Sequence, residues 1–242
     1  ARLLGYDYIA TGHYAVIEQN SAGRWLLKKA PASKDQSYVL YSLTQDQLAH
    51  TLMPLGAYTK PEARRMAEEA GLRVAHKPDS QEICFVQDND YASFIRRYTG
   101  KEPPPGNFID QAGNVLGTHK GITHYTIGQR KGLGIAFGKP MFVTKIDPIS
   151  NTVTLGENGS QYASSLIADK VNLISADTLK APISAQVKVR YQAPPAPARL
   201  TPLDNGKIRV DFQEPQRSVT PGQAAVFYDG DLVLGGGIIE TV

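Results

Sequence analysis

The 242-residue sequence predicts an α/β segment followed by a β-rich central module and an all-β barrel at the carboxyl end. Three observations lead there. Helix signals are confined to the first hundred or so residues; three consecutive prolines, Pro103-Pro104-Pro105, mark a change of composition; and beyond them short alternating segments are separated by glycine turns.

The elements follow in order. Ala1-Arg2-Leu3-Leu4-Gly5 reads as the last turn of a helix closed by a C-cap glycine, so the chain is expected to open inside a domain. Tyr8-Ile9-Ala10 is short and apolar and runs into Thr11-Gly12-His13, as a buried strand does when it empties into a polar loop. Alternation through Ala15-Val16-Ile17-Glu18 and Trp25-Leu26-Leu27-Lys28, around Asn20-Ser21-Ala22-Gly23, predicts a hairpin in which Trp25 packs. Thr44 with Gln47, and Thr59 with Glu62, are capping boxes that open two helices, the second ended by Gly71. Tyr91, Phe94, Ile95 and Tyr98 make one face of a third helix, with Asn89 as cap and Gly100 as terminator.

After the prolines the signal is strand. Gly-rich short strands extend to about residue 158, and Gln186–Tyr191, Ile208–Phe212 and Ala224–Tyr228 alternate, with Asn205-Gly206 and Asp229-Gly230 as hairpin turns. Ala193-Pro194-Pro195-Ala196-Pro197 is expected to be an irregular loop or edge, and Gly235-Gly236-Gly237 a strand bulge rather than a phosphate loop, because no lysine or serine follows and no helix opens there.

Composition excludes little. The chain is 41% hydrophobic with a formal net charge of +3, its basic residues spread out and largely balanced by acids, which permits RNA binding without requiring it. No apolar run is long enough to span a bilayer and no signal peptide opens the chain, so a reducing cytoplasm is the expectation, with no membrane partner. Five histidines are scattered without metal-ligand spacing. Cys84 is the one cysteine, within Asp79-Ser80-Gln81-Glu82-Ile83-Cys84-Phe85, and cannot form an internal disulfide. A small buried hydrophobe and a reactive thiol both remain open for it on these grounds.

Further segments carry polar chemistry. Gly12 and His13 stand at the carboxyl edge of a predicted strand, where open α/β sheets bind ligands, though from these residues alone a plain strand-to-loop turn with a surface histidine is the simpler reading. Ser33 to Tyr41 includes Lys34, Asp35 and Gln36, which suit phosphate and base edges or simply a capped loop. Gly117 to Ile135 interleaves basic and aromatic residues with glycines, in keeping with backbone-following RNA contact or with a set of solvated turns.

In order along the chain, Ala10-Thr11-Gly12-His13-Tyr14, Ser33-Lys34-Asp35-Gln36-Ser37-Tyr38, Asp79-Ser80-Gln81-Glu82-Ile83-Cys84-Phe85 and Tyr125-Thr126-Ile127-Gly128-Gln129-Arg130-Lys131-Gly132-Leu133-Gly134 resemble the tRNA-specific 2-thiouridylases. The closing runs Thr220-Pro221-Gly222-Gln223-Ala224-Ala225-Val226-Phe227-Tyr228 and Leu234-Gly235-Gly236-Gly237-Ile238-Ile239 are similar to that family's barrel. The resemblance implies that residues 1–88 are the C-terminal part of an adenine-nucleotide-hydrolase-like (PP-loop) ATP-pyrophosphatase domain, 89–160 a central tRNA-binding module and 161–242 the barrel. It implies ATP, with Mg2+, for adenylating the 2-oxygen of a wobble uridine, and sulfur delivered by a cysteine persulfide loaded by an upstream donor protein; an iron–sulfur cluster as carrier stays open. By position in the motifs, Cys84 matches the persulfide carrier, Gly12 a nucleotide-contacting glycine, and His13, Lys34, Asp35, Gln36, Arg190, Tyr191 and Gln223 tRNA-contacting positions. The family's Ser-Gly-Gly-x-Asp-Ser loop and second cysteine do not occur in these residues. The chain is therefore expected to be an N-terminally truncated member, inactive alone and monomeric without tRNA. A non-catalytic RNA-binding module with an inert cysteine is the competing expectation.

Overall fold

A computed structural model of the chain describes residues 2–31, 34–76, 86, 90–136 and 138–242. It divides into two compact units. The first comprises Ala1–Lys77, Ser164–Pro215 and Thr220–Val242, and the second Pro78–Ala163 with Gln216–Val219.

In the first unit β1 (Ile9–Ala10) runs parallel to β4 (Thr51–Leu52). The expected burial of this strand is not found, since Ile9 is 53% exposed. Only β4 pairs with it among the described residues, and Tyr8 and Ala10 are exposed beside Ile9. The hairpin of β2 (Ala15–Gln19) and β3 (Trp25–Lys29) turns on Asn20, whose side chain accepts from the Ala22 and Arg24 amides, and on Gly23 at φ 81°. There glycine meets a left-handed requirement.

Helix α1 (Ser37–Leu40) is a single turn; α2 (Gln45–Ala49) and α3 (Lys60–Glu69) carry the Thr44–Gln47 and Thr59–Glu62 capping boxes with both reciprocal bonds formed. Each box satisfies amides that an α-helix leaves unpaired in its first turn. Gly71 lies just past α3 at φ 69°, returning its amide to Glu68.

The rest of this unit is a closed six-stranded barrel. Its strands are β9 (Tyr162–Leu173), β10 (Ile183–Lys188), β11 (Ala196–Pro202), β12 (Ile208–Arg217), β13 (Ala224–Asp229) and β14 (Leu232–Thr241). They run β13-β10-β11-β12-β9-β14, with β13 and β14 pairing to close the ring. Closure removes the edges that an open sheet would expose. The prolines of Ala193–Pro197 enter β11 at Pro197, which pairs with Gln186, so the irregular stretch ends sooner than its composition suggests. The register of β14 against β9 shifts between Gly236 and Ile238, which is the bulge expected of the glycine run. The run also admits neighbours: a Cβ at Gly236 would lie 2.6 Å from the Tyr41 ring and one at Gly237 2.7 Å from the Asp169 carbonyl.

Residues 15–53 and the barrel share one core. Ala15, Leu27, Tyr38 and Leu48 are buried with Ile174, Val226, Tyr228 and Val233, while Trp25, Tyr41 and Met53 pack around them. This is the apolar contact that fixes the loop after β3 against β13 and β14.

The second unit holds α4 (Tyr91–Thr99) and a sheet of β5 (Gly106–Ile109), β6 (Val115–His119), β7 (Phe142–Asp147) and β8 (Thr152–Gly156), in the order β6-β5-β8-β7. The cap of α4 is Asp90, which accepts from the Ser93 amide at 3.0 Å, and not the expected Asn89, which lies outside the described residues. Both residue types cap well, so composition alone could not choose between them. Gly100 ends the helix in the left-handed conformation, as expected. Phe108, Tyr125, Val143, Val153 and Leu155 form the core, with His119 set edge-on to Phe108 and Tyr125. His119 Nδ1 accepts from the Gly121 amide, which places its ring proton on Nε2, 3.1 Å from the Asn151 carbonyl. Gln129 of the glycine-rich motif is an internal brace: its side chain accepts from the Thr126 amide and donates to the Lys131 carbonyl.

Candidate RNA-binding surface

The loop after β3 is held by its own side chains. Asp35 accepts through Oδ1 from the amides of Ala30 and Ser37, at 3.2 and 3.1 Å, and through Oδ2 from the Ser37 hydroxyl at 2.9 Å. A short carboxylate that collects nearby amides in this way locks a turn without helix or sheet. Gln36 bonds twice to Tyr14, its amide to the Tyr14 carbonyl at 2.8 Å and its Oε1 from the Tyr14 amide at 2.9 Å. It thereby ties the loop to the segment that carries Gly12 and His13. His13 Nδ1 is 2.8 Å from the Thr11 hydroxyl.

Tyr38 and Tyr228 form the floor. Tyr38 is 6% exposed and donates to the Ala224 carbonyl at 2.9 Å; Tyr228 is fully buried, with its hydroxyl 3.4 Å from Ser37 Oγ. Burial pushes the Tyr38 hydroxyl up to about 12 and raises that of Tyr228 as well, because a phenolate there would lose its hydration. Lys29 lies over the Tyr228 ring at 4.3 Å and donates to the Gly230 carbonyl.

The barrel supplies the other wall. Beyond β10, Arg190 donates to the Thr220 hydroxyl at 2.9 Å, and Tyr191 stands 42% exposed, its ring 6.0 Å from that of Tyr38 and its hydroxyl 3.5 Å from the Asp35 carbonyl. The last is a weak bond at best. Gln223 follows Thr220 in the same turn, its backbone bonded to Thr220 and Ile239 and its side chain exposed. Lys188, on β10, is half-buried between the Tyr38 and Tyr191 rings; burial lowers its pKa, and the Asp35 carboxylate pulls the other way.

The fold thus gathers Asp35, Gln36, Arg190, Tyr191 and Gln223 from distant parts of the sequence, and Gln36 brings Tyr14 alongside. Gly12 is exposed and has room: a Cβ there would meet only Leu55, at 3.6 Å. Lys34 is exposed and shares a positive region with Lys60 and Arg64, whose like charges add to burial in lowering the Lys60 pKa. Cys84 lies outside the described residues. Ser37 and Tyr38 lie within the polar motif read from sequence, whereas Lys188 and Tyr228 carry no such motif signal, although strand alternation offers one for Lys188. Alternation through Val187-Lys188-Val189-Arg190 puts two cations opposite two valines that are 1% and 3% exposed.

The exposed backbone at Gly12 leaves room for close approach of a ligand. An iron–sulfur cluster does not fit these residues: clusters take several thiolates, and the chain has one cysteine. Among the described residues no group of three or more His, Cys, Asp or Glu converges, and no helix is long and apolar enough to cross a membrane.

Three family models match in succession: a tRNA methyl transferase HUP domain over residues 1–88, a tRNA methyl transferase PRC-barrel domain over 92–157 and an aminomethyltransferase beta-barrel domain over 163–239. The tRNA-specific 2-thiouridylase MnmA of Clostridioides difficile (strain 630) is 56% identical over 242 residues, spanning 99% of this chain and 67% of that protein. The protein of the same name from Acetivibrio thermocellus is 57% identical over 239 residues, 98% of this chain and 67% of its own length, and that from Clostridium perfringens (strain 13 / Type A) is 50% identical over 242, 100% and 67%. Identity at this level, sustained across nearly the whole chain, carries more than a shared fold, and the chain belongs to the tRNA-specific 2-thiouridylase family.

Proposed function

We propose that this chain holds the anticodon region of a tRNA and presents Cys84 as sulfur carrier in the ATP-dependent 2-thiolation of a wobble uridine. The observation that carries the reading is the patch in which exposed Tyr191 and Gln223 stand beside Arg190 on a buried tyrosine floor. Unpaired bases are held by an aromatic face next to a guanidinium, and the sequence separation of the parts makes a local accident a poor account of the patch.

The roles divide by what each side chain has left to offer. Asp35 braces the loop by accepting from Ala30 and Ser37, and Gln36, which accepts from Tyr14 through Oε1, keeps its side-chain NH2 to offer the RNA. Tyr191, Arg190 and Gln223 face the ligand, with His13 and Lys34 beside the base to be modified and Gly12 at the nucleotide. In the reaction the uridine 2-oxygen attacks the α-phosphorus of ATP and pyrophosphate leaves; Mg2+, when bound with the nucleotide, would offset the phosphate charge. The terminal sulfur of a Cys84 persulfide then attacks C2 and AMP departs, since an oxygen esterified to phosphate leaves far more readily than a bare carbonyl oxygen. A second thiol must take the Cys84 sulfur as a disulfide to free 2-thiouridine, and these 242 residues contain no other cysteine. The persulfide comes from a donor protein, and the protein works in the cytoplasm as a monomer when tRNA is absent.

Two measurements test this. The chain should bind an anticodon stem-loop containing the target uridine, and Tyr191→Ala should weaken binding by about 5- to 150-fold, the range for losing one stacked base. Cys84 should accept labelled persulfide sulfur from a donor, visible by alkylation and mass spectrometry, and Cys84→Ser should lose the label. RNA binding with a thiol that never loads would favour a non-catalytic RNA-binding module; absence of RNA binding would remove both readings.

A further inference from the structure

We infer that Lys188 is a positioning residue for the RNA-facing ring of Tyr191, an assignment that rests on the RNA-binding reading above. Its ammonium stands 5.6 Å from the centroid of Tyr38 and 5.8 Å from that of Tyr191, while the two rings are 6.0 Å apart and inclined at 58°. The three centres form a nearly equilateral triangle, so the cation occupies the open side of the wedge between the rings.

The two rings need this help unequally. Tyr38 is 6% exposed and anchored through its hydroxyl to the Ala224 carbonyl at 2.9 Å. Tyr191 lies beyond the end of β10 and is 42% exposed, and the approach of its hydroxyl to the Asp35 carbonyl is long, at 3.5 Å. Lys188 is itself well placed to serve as a post. Its backbone lies in β10, in register with Val226 of β13, so its Cα belongs to the barrel rather than to the loop. A cation set against both ring faces attracts each through the negative face of its π-system, and so fixes their mutual angle. The Asp35 carboxylate, which braces the loop on the other side, favours the charged form of this lysine. One side of Tyr191 is thereby held against the protein and the other left to a base.

The test uses the full 242-residue chain labelled with 3-fluorotyrosine, the Tyr191 resonance being assigned through Tyr191→Phe. Lys188→Met should shift or broaden that resonance in the free protein and weaken anticodon stem-loop binding by about three- to tenfold, a part of what loss of the stacking ring costs. Lys188→Arg should restore both, since a guanidinium also sits against aromatic faces. In a Tyr191→Ala background Lys188→Met should change affinity by less than about twofold, because a residue that acts through a missing ring has nothing left to act on. The slope of log affinity against log salt should be the same for Lys188→Met as for the wild type. A Tyr191 resonance that does not move overturns the inference, as does a full Lys188→Met effect without Tyr191, or a slope reduced by about one ion, which would make Lys188 a direct phosphate contact. If the methionine variant does not fold, Lys188→Gln replaces it in every arm. Failure of the wild-type chain to bind the stem-loop overturns the RNA-binding reading instead, and the fluorine resonance still decides whether Lys188 holds the ring.

Discussion

Replacing Asp35 by alanine removes the acceptor of the Ala30 amide, the Ser37 amide and the Ser37 hydroxyl in one step. Hydrogen bonds to a charged acceptor are worth about 1.5–3 kcal/mol each at good geometry. These are long, at 2.9 to 3.2 Å, and the carboxylate is half-buried, so about 1 kcal/mol each is the better figure, or about 3 kcal/mol in all. Ser37, fully buried, keeps the 3.4 Å approach to Tyr228 but loses its bonds to the carboxylate. The assay is urea unfolding followed by the fluorescence of Trp25, the one tryptophan, which packs on the same core as Tyr38. With a urea slope of about 2.5 kcal/mol per molar, Asp35→Ala should lower the midpoint by about 1.2 M. Asp35→Asn keeps an oxygen for the two amides and should lose about a third of that, with anticodon stem-loop binding retained. A midpoint shift below about 0.3 M for the alanine variant would refute the brace. So would an asparagine variant of normal stability that no longer binds RNA, for the carboxylate would then be acting on the ligand.

Other outcomes follow from the same structure. Gly12→Ala should leave the urea midpoint unchanged, because its Cβ meets only Leu55 at 3.6 Å, yet weaken adenine-nucleotide binding measured by calorimetry if backbone approach is what that position provides. Gly128→Ala should cost more than the ~1 kcal/mol that a left-handed backbone alone imposes on alanine, since Gly128 sits at φ 86° and a Cβ there would overlap the Ser218 hydroxyl; thermal unfolding checks it. At alkaline pH the buried phenols decide stability. The Tyr38 pKa rises from 10.0 unfolded to about 12 in the fold, so its contribution is complete below about pH 10 and is lost as pH climbs toward 12. Tyr228 shifts in the same direction. Tyr38→Phe should therefore flatten the fall of the urea midpoint between pH 10 and 12, and an unchanged fall would argue against burial of that hydroxyl.

Much of the local structure was legible in the residues. The capping boxes at Thr44 and Thr59 stood out because side chain and amide lie three residues apart, a relation that sequence spacing encodes directly. Hairpin turns at Asn205-Gly206 and Asp229-Gly230 were readable for the same reason, Gly206 and Gly230 having φ of 76° and 59°. The burial of Tyr8–Ala10 was misjudged because an apolar run announces a strand but not whether another layer covers it.

The sequence by itself determined the order of α/β segment, β-rich module and barrel, together with the uniqueness of Cys84 among these 242 residues. Only the tertiary structure decided what the motif residues do to one another. By their place in the motif Asp35 and Gln36 match RNA-contacting positions, and what the structure adds is that the Asp35 carboxylate accepts from Ala30 and Ser37 and Gln36 Oε1 from Tyr14. Tyr191 and Tyr38, 153 positions apart in the chain, form a wedge around Lys188 only because barrel closure brings the end of β10 beside the loop after β3. Local propensity acts over a few residues. Partnership across such distances is set by which apolar faces bury each other, and that is decided by the whole chain at once.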